Sequence, residues 1–282
     1  MLLLLLRDDA MNSAIHSRSI ALAPIALARC LFTLVLSALL VLPARAGAVL
    51  DRIRATGELR VGTTGDYKPF SYRAADGNYE GADIEMVRRL AAKLGVKVVF
   101  VPTRWADLKQ DFAADRFDIA VGGISILPER TELGPFAHTL VVDGKQPIVR
   151  CADRARFDSL DAINRPTVHV IVNPGASNEA FARAQLPAAE LTVFADNATI
   201  FDEIAAGRAD AMVTDGIEVE QQARLHPGVL CPAAVAAPFT HSEKSYWLRP
   251  DPDLVALVNA WLDEEIASGR WQQALEAAMA QK

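Results

Sequence analysis

Cysteine is scarce in this chain: three residues in 282, at positions 30, 151 and 231. That excludes a disulfide-dense scaffold, and the histidines beyond residue 46 (His138, His169, His226, His241) show no metal-ligand spacing. Basic charge is short as well. Residues 1–46 hold four arginines and two aspartates, and setting them aside leaves 25 basic against 33 acidic residues, a net charge of −8. No nucleic-acid partner is expected from such a surface, and an anionic ligand would need a locally positive cleft. Low-complexity segments and short repeats are absent. The apolar run at 31–42 falls short of the roughly 20 residues a bilayer span needs. Arg18 and Arg29 precede it and Ala44-Arg45-Ala46 follows, which is the order of a secretory signal whether the chain starts at Met1 or Met11. Residues 1–46 are therefore expected to be a signal peptide, leaving no stable membrane anchor after cleavage. Cys30 precedes the apolar run and follows Arg29, the wrong context for lipidation. In an oxidising compartment the remaining Cys151 and Cys231 read most simply as one disulfide closing a long loop, a pairing that sequence leaves open.

From Glu58 onward short β-rich runs alternate with amphipathic helices, which predicts an α/β fold with largely parallel sheets. Residues 59–63 read as the first strand. Residues 83–94 read as a helix, with Ile84, Val87, Leu90, Ala91 and Leu94 at helical spacing and Gly95 ending it. A strand at 96–101, a helix at 105–114 and a strand at 117–121 complete a first unit. The second unit repeats the rhythm: strands at 167–172, 191–194 and 211–213, helices at 177–184, 199–206 and 217–224. Between them 140–149 reads as one extended crossing. The Pro- and Ala-rich piece after Cys231 reads as the return, followed by a strand at 245–248 and helices at 252–266 and 271–279. Two lobes are expected, 47–142 plus 237–282 and 143–236, hinged near 141–144 and 233–237. Ligands in such folds occupy the crevice at the carboxyl ends of strands, where 63–70, 122–130, 173–179 and 214–215 fall.

Within that crevice Asn173-Pro174-Gly175-Ala176-Ser177-Asn178-Glu179 joins a strand to a helix, with Ser177 and Asn178 offering an N-cap. The corner aims free backbone N–H groups at an anion, and an acid beside a bound anion ionises less readily. Glu179 is accordingly the candidate catalytic acid, although a carboxylate in a first helical turn is also favoured by the helix dipole alone. Tyr67, Phe70 and Trp105 offer either walls for a flat ring or a packed cluster under the loop.

The strings TTGDYKPFSY (63–72) and GNYEGADIEM (77–86) resemble bacterial solute-binding proteins of family 3, and the resemblance runs from about Leu50 to the C-terminus. It implies a two-lobed, periplasmic-binding-protein-like (type II) fold with the ligand cleft between the lobes, and a periplasmic location. GGISILPER (122–130) corresponds to the loop whose serine and arginine grip a ligand carboxylate, which assigns Ser125 and Arg130, with Gly123, to substrate binding; a guanidinium meets a carboxylate through two parallel bonds that lysine cannot reproduce. Many relatives carry Thr where this chain has Leu127-Pro128. Thr214-Asp215-Gly216 corresponds to the strand end whose aspartate accepts an amino group, although Asp215 also suits a plain helix N-cap.

PTRWADL, DFAADRFDIA, DGKQPI, IVNPGASNEAFARA, DNATIF and RLHP are similar to the periplasmic cyclohexadienyl dehydratases of this family, where NPGGTNE stands in place of 173–179. The resemblance implies decarboxylating dehydration of prephenate and arogenate without metal or cofactor. One general acid, Glu179 with a raised pKa, would protonate the departing hydroxyl. Arg130 and Ser125 would clamp the side-arm carboxylate, Asp215 would receive the arogenate amine, Lys145 and the N–H groups near Ser177 would face the ring carboxylate, and Asn173 and Ser177 are further substrate-binding candidates. A non-catalytic amino-acid receptor of an ABC transporter is the alternative on the same scaffold. The pattern fixes no oligomeric state.

Overall fold

The computed structural model describes residues 47–175 and 177–281. The signal expected at 1–46 and residue Ala176 lie outside the described residues. After helix α1 (Ala48–Thr56), the chain forms β1 (Glu58–Thr63), three short strands β2 (Asp66–Tyr67), β3 (Ser71–Arg73) and β4 (Tyr79–Glu80), and helix α2 (Ala82–Leu94). β5 (Lys97–Pro102), α3 (Leu108–Ala113), β6 (Ile119–Ala120) and the single turn α4 (Pro128–Thr131) follow. Sheet order is β14-β6-β1-β5, with β14 (Trp247–Leu248) entering antiparallel from the far end of the chain. The apolar face read from the sequence explains the packing: Ile84, Val87, Leu90 and Ala91 of α2 are all buried against Leu59 and Val61 of β1. The closing helices α9 (Pro252–Ala267) and α10 (Arg270–Ala280) share that core through Leu254, Val258, Trp261 and Trp271.

The second sheet is built from β8 (Lys145–Arg150), β9 (His169–Val172), β10 (Glu190–Val193), β11 (Ala211–Asp215) and β12 (Leu230–Pro232), in the order β10-β9-β11-β8-β12. β9, β10 and β11 run parallel, while β8 and β12 are antiparallel to their neighbours. Helices α5 (Leu160–Ile163), α6 (Ser177–Gln185), α7 (Ile200–Ala205) and α8 (Gly216–Leu225) connect these strands. Cys151 and Cys231 form a disulfide, Cα atoms 4.8 Å apart, joining the chain after β8 to β12.

Two strands link the units. β7 (Val141–Asp143) and β13 (Ser242–Lys244) pair antiparallel, Asp143 opposite Ser242. The single extended crossing expected over 140–149 is thus split at Gly144, where a Cβ would run into the Thr240 carbonyl, so its two halves join different sheets. The return falls later than the expected 233–237. Phe239 still stacks on Phe181 of α6 at 6.3 Å, and its N–H bonds the Lys145 carbonyl, so the chain leaves the second core only after it. No helix among the described residues is long and apolar enough to cross a membrane.

Candidate active site

β1 ends at Thr63 and the chain doubles back through β2 and β3, which carries Tyr67 and Phe70 to the carboxyl end of the first sheet. Their ring centroids lie 5.3 Å apart, and Trp105 meets Tyr67 edge-on at 5.8 Å. Tyr67 and Trp105 line a cavity between the two sheets, while Phe70 is fully buried behind Tyr67, so the two alternatives read from sequence divide between these rings. Gly123 also lines it, at φ +69°; a Cβ there would sit 2.5 Å from Phe70 and 2.6 Å from Tyr67, so the rings can close in only over glycine. The N–H groups of Gly122 and Gly123 donate to Asp83 Oδ2 at 2.9 and 2.8 Å. Burial pushes Asp83 up to about 6 in spite of those bonds.

Arg130 reaches the cavity from α4 and is 6% exposed. Its Nη1 donates to the Ser125 carbonyl at 2.9 Å, and no carboxylate among the described residues lies within ion-pair distance of it. Burial lowers its pKa to about 10, leaving it cationic at neutral pH. A buried guanidinium without an anionic partner is costly, and a ligand carboxylate would relieve that cost.

Asp215, at the end of β11, is the electrostatic centre. Lys145 Nζ donates to its Oδ1 at 2.8 Å; Lys244 Nζ and Tyr67 Oη donate to its Oδ2 at 2.6 and 2.8 Å. Burial opposes ionisation of Asp215, but the two lysines outweigh it and hold the carboxyl well below the usual range. Asp215 stands at the N-cap position of α8 without capping it; Asp143 accepts from the N–H groups of Gly216 and Ile217 instead, at 3.0 and 3.1 Å. With both oxygens occupied by cations, the expected reception of a substrate amine at Asp215 does not fit this arrangement. Lys145 also donates to Ser177 Oγ at 3.0 Å and to Asn178 Oδ1, while Lys244 reaches Ser125 Oγ at 3.1 Å. Asn178 Nδ2 in turn donates to Asn173 and to Thr214, each at 3.0 Å. Ser125, Asn173, Ser177 and Asp215 line the cavity; Lys145 stands directly behind Ser177 and Asp215.

Glu179 corrects an expectation. The acid was to be buried in the cleft with a raised pKa, but its Oε2 accepts from the Gly175 N–H at 2.7 Å, its Oε1 accepts from Arg183 Nε at 2.8 Å, and it does not line the cavity. The Gly175 bond and then Arg183 lower its pKa, so in this arrangement Glu179 is ionised. The acid that does hold a proton is Glu218 on α8, 2% exposed and lining the cavity; burial, reinforced by the charge of Asp215, raises it to about 8.

Glu218, Lys244, Asn178 and Asn197 escaped sequence reasoning. Asn178 was read there only as a helix cap and Asn197 only as part of DNATIF, while Glu218 stands four residues after Thr214 and three after Asp215, a spacing that puts it on one helical face with the strand end. Lys244 lies in Ser242-Glu243-Lys244, which reads as a solvated edge strand.

Two α/β units joined by paired strands, with charged groups converging between them, define a two-lobed ligand-trapping protein. A profile of the bacterial extracellular solute-binding proteins, family 3, matches residues 59–280, and the chain belongs to that family. Its fold is the periplasmic-binding-protein-like one. It is 50% identical over 227 residues to the cyclohexadienyl dehydratase of Pseudomonas aeruginosa, spanning 80% of this chain and 84% of that protein. It is 25% identical over 225 residues to an L-cystine-binding protein of Escherichia coli, spanning 79% and 83%. Similar solved structures include an ancestral amino acid-binding protein described as a precursor of cyclohexadienyl dehydratase (36% identity, TM-score 0.75, 82% of this chain and 100% of that one). An ancestral cyclohexadienyl dehydratase is 48% identical, with a TM-score of 0.51, over 82% and 96% of the two chains.

Proposed function

We propose that this protein is a cyclohexadienyl dehydratase of the periplasm, converting prephenate to phenylpyruvate and arogenate to phenylalanine. The carrying observation is the charge of the cleft. Arg130, Lys145 and Lys244 stand against ionised Asp215, with Glu218 neutral up to about pH 8, so positive groups outnumber ionised carboxylates at and directly behind the cavity wall, which suits a substrate with two carboxylates. The 50% identity to the Pseudomonas aeruginosa enzyme supports the same reading.

The chemistry asks little of the protein. Prephenate dianion takes up one proton at its hydroxyl, the C–O bond breaks to release water, and the ring carboxylate leaves as carbon dioxide. The electron pair of the broken C–C bond completes the aromatic ring, giving phenylpyruvate monoanion. Arg130 with Ser125 would hold the side-arm carboxylate, and Tyr67 and Trp105 would flank the ring. Lys145, Asn173 and Ser177 would face the ring carboxylate, whose hold must stay loose if it is to leave. To give the proton, Glu179 would have to leave Gly175 and Arg183, which hold it ionised, turn into the cleft, and take up a proton from solvent there beside the dianion before passing it to the hydroxyl; the first turn of α6, which carries it, contributes Ser177 and Asn178 to the cavity wall.

The amino-acid-receptor alternative meets an obstacle at Asp215. A substrate ammonium there would be a third cation competing for two oxygens already held by lysines. For the same reason prephenate should be a better substrate than arogenate. The test is addition of prephenate to purified protein at neutral pH, with phenylpyruvate followed by its absorbance in alkali. Phenylpyruvate formation is expected. No product, together with a melting temperature raised by a free amino acid, would give the receptor reading its place.

A further inference from the structure

The loop between β10 and α7 carries Asn197, which is 8% exposed and lines the cavity. Its Nδ2 donates to the backbone carbonyl of Asp66, on β2, at 3.1 Å. A carbonyl can only accept, so this bond fixes which way the amide faces, nitrogen to Asp66 and oxygen away from it. Asp66 also accepts from Trp105 Nε1 at 3.0 Å, which ties Asn197 to the aromatic wall of the cavity. No hydrogen bond among the described residues reaches Asn197 Oδ1, although the atom is buried. The serine and asparagine oxygens elsewhere on the wall are engaged: Ser125 Oγ by Lys244, Ser177 Oγ and Asn178 Oδ1 by Lys145, and Asn173 Oδ1 by Asn178. Both oxygens of Asp215 are taken as well. A buried amide oxygen left unpaired costs free energy, and a ligand donor placed against it would recover that cost.

We propose that Asn197 is a substrate-binding residue whose Oδ1 accepts the hydrogen of the ring hydroxyl, the group that leaves. The inference rests on the dehydratase reading above and deepens it. Prephenate dianion carries many acceptors and a single donor, that hydroxyl, and it meets a wall whose serine and asparagine oxygens are all engaged except Asn197 Oδ1. The hydroxyl stands on the ring carbon opposite the one that bears the arm, so its acceptor must come from a part of the wall other than Arg130 and Ser125. Asn197, joined through Asp66 to the Trp105 that would flank the ring, supplies it. An amide suits this place because, unlike a carboxylate, it adds no negative charge beside a dianion. With its hydrogen held by Asn197, the hydroxyl oxygen turns its lone pairs to the rest of the cavity, from which the proton arrives. The C–O bond then breaks, and the departing water carries both hydrogens, the one held by Asn197 and the one received.

The test compares two inhibitors of prephenate turnover, a cyclohexane carboxylate bearing a hydroxyl across the ring, taken as each epimer, and the same acid without the hydroxyl. Both are titrated against the unaltered protein and against Asn197→Ala. In the unaltered protein one hydroxylated epimer should inhibit about threefold to tenfold more tightly than the plain acid, and in Asn197→Ala that preference should vanish. Loss of the bond to Asp66 weakens both acids alike and cancels in the ratio, so a merely structural role would leave the ratio unmoved. The kcat/KM values for prephenate and arogenate should fall together in Asn197→Ala, by about tenfold. A hydroxyl preference that survives in the variant overturns the inference, as does its absence from the unaltered protein. A fall confined to arogenate also overturns it, since that result assigns Asn197 to the amine. If Asn197→Ala does not fold, Asn197→Leu, which keeps the side-chain volume without an acceptor, gives the same ratio. Should the unaltered protein turn over no prephenate, the dehydratase reading falls and takes the inference with it; turnover with the preference retained in the variant ends the inference alone.

Discussion

Two glutamates occupy equivalent places in one sheet and end in opposite states. Glu179 stands in the first turn of α6 after β9, Glu218 in the first turn of α8 after β11, and the helix dipole favours a carboxylate at both. Glu179 is partly exposed, with a backbone N–H and Arg183 on its oxygens; Glu218 is buried, with one hydroxyl donor and the negative Asp215 close by. A shared position at a helix start therefore does not set protonation. Desolvation and the neighbouring charges do.

The contrast breaks most sharply at Glu179. Replacement by Gln should lower kcat for prephenate by about 10²–10⁴-fold with KM little changed, read by steady-state kinetics. Retained turnover would remove Glu179 from the mechanism and direct attention to Glu218. Next comes the support of the cluster beside Glu218. Lys244→Ala leaves Asp215 buried with one lysine, and loss of one partner of a buried pair costs about 3–5 kcal/mol; a clear fall in melting temperature is expected, partly recovered by adding Asp215→Asn.

A smaller effect follows from linkage. The folded protein keeps the Glu218 proton until about pH 8, whereas the unfolded chain releases it near 4.5. Between those values the folded state binds more protons, so stability falls as pH rises, by at most about 1.4 kcal/mol per pH unit, and levels off above about pH 8. Denaturant midpoints across that window should show the slope, and Glu218→Gln should flatten it. The smallest change is expected at Arg183→Ala. Its pair with Glu179 leaves the arginine 60% exposed, so stability should drop by no more than about 0.5 kcal/mol. Glu179 has a lowered folded pKa, so that contribution is present above about pH 4.5 and is lost as pH falls through the folded value.

These four residues also mark how far the sequence could be read. The α/β rhythm was legible because periodicity is local: Ile84, Val87, Leu90 and Ala91 of α2 carry their burial in their spacing. The disulfide was legible because only two cysteines remained to pair. Arg130 and Ser125 stood out through a contiguous motif, and the structure brings both to the cavity. Lys244 did not stand out. It is 1% exposed because Asp215, 29 residues earlier, and Tyr67, in the loop after β1, close over it, and nothing in its own strand records that. Glu218 reads like any solvated helical glutamate until Thr214 and Asn178 are placed around it. At Glu179 the motif located the residue, while its protonation depended on Arg183, one helical turn on, which the expectation of a neutral acid left out.

Isotope-edited infrared spectroscopy of the carboxyl groups, in ligand-free protein at pH 7 and with Glu218→Gln and Glu179→Gln as references, tests the contrast most directly. The account predicts one protonated-acid band that disappears in Glu218→Gln and persists in Glu179→Gln. A band that disappears in Glu179→Gln and survives in Glu218→Gln would contradict it.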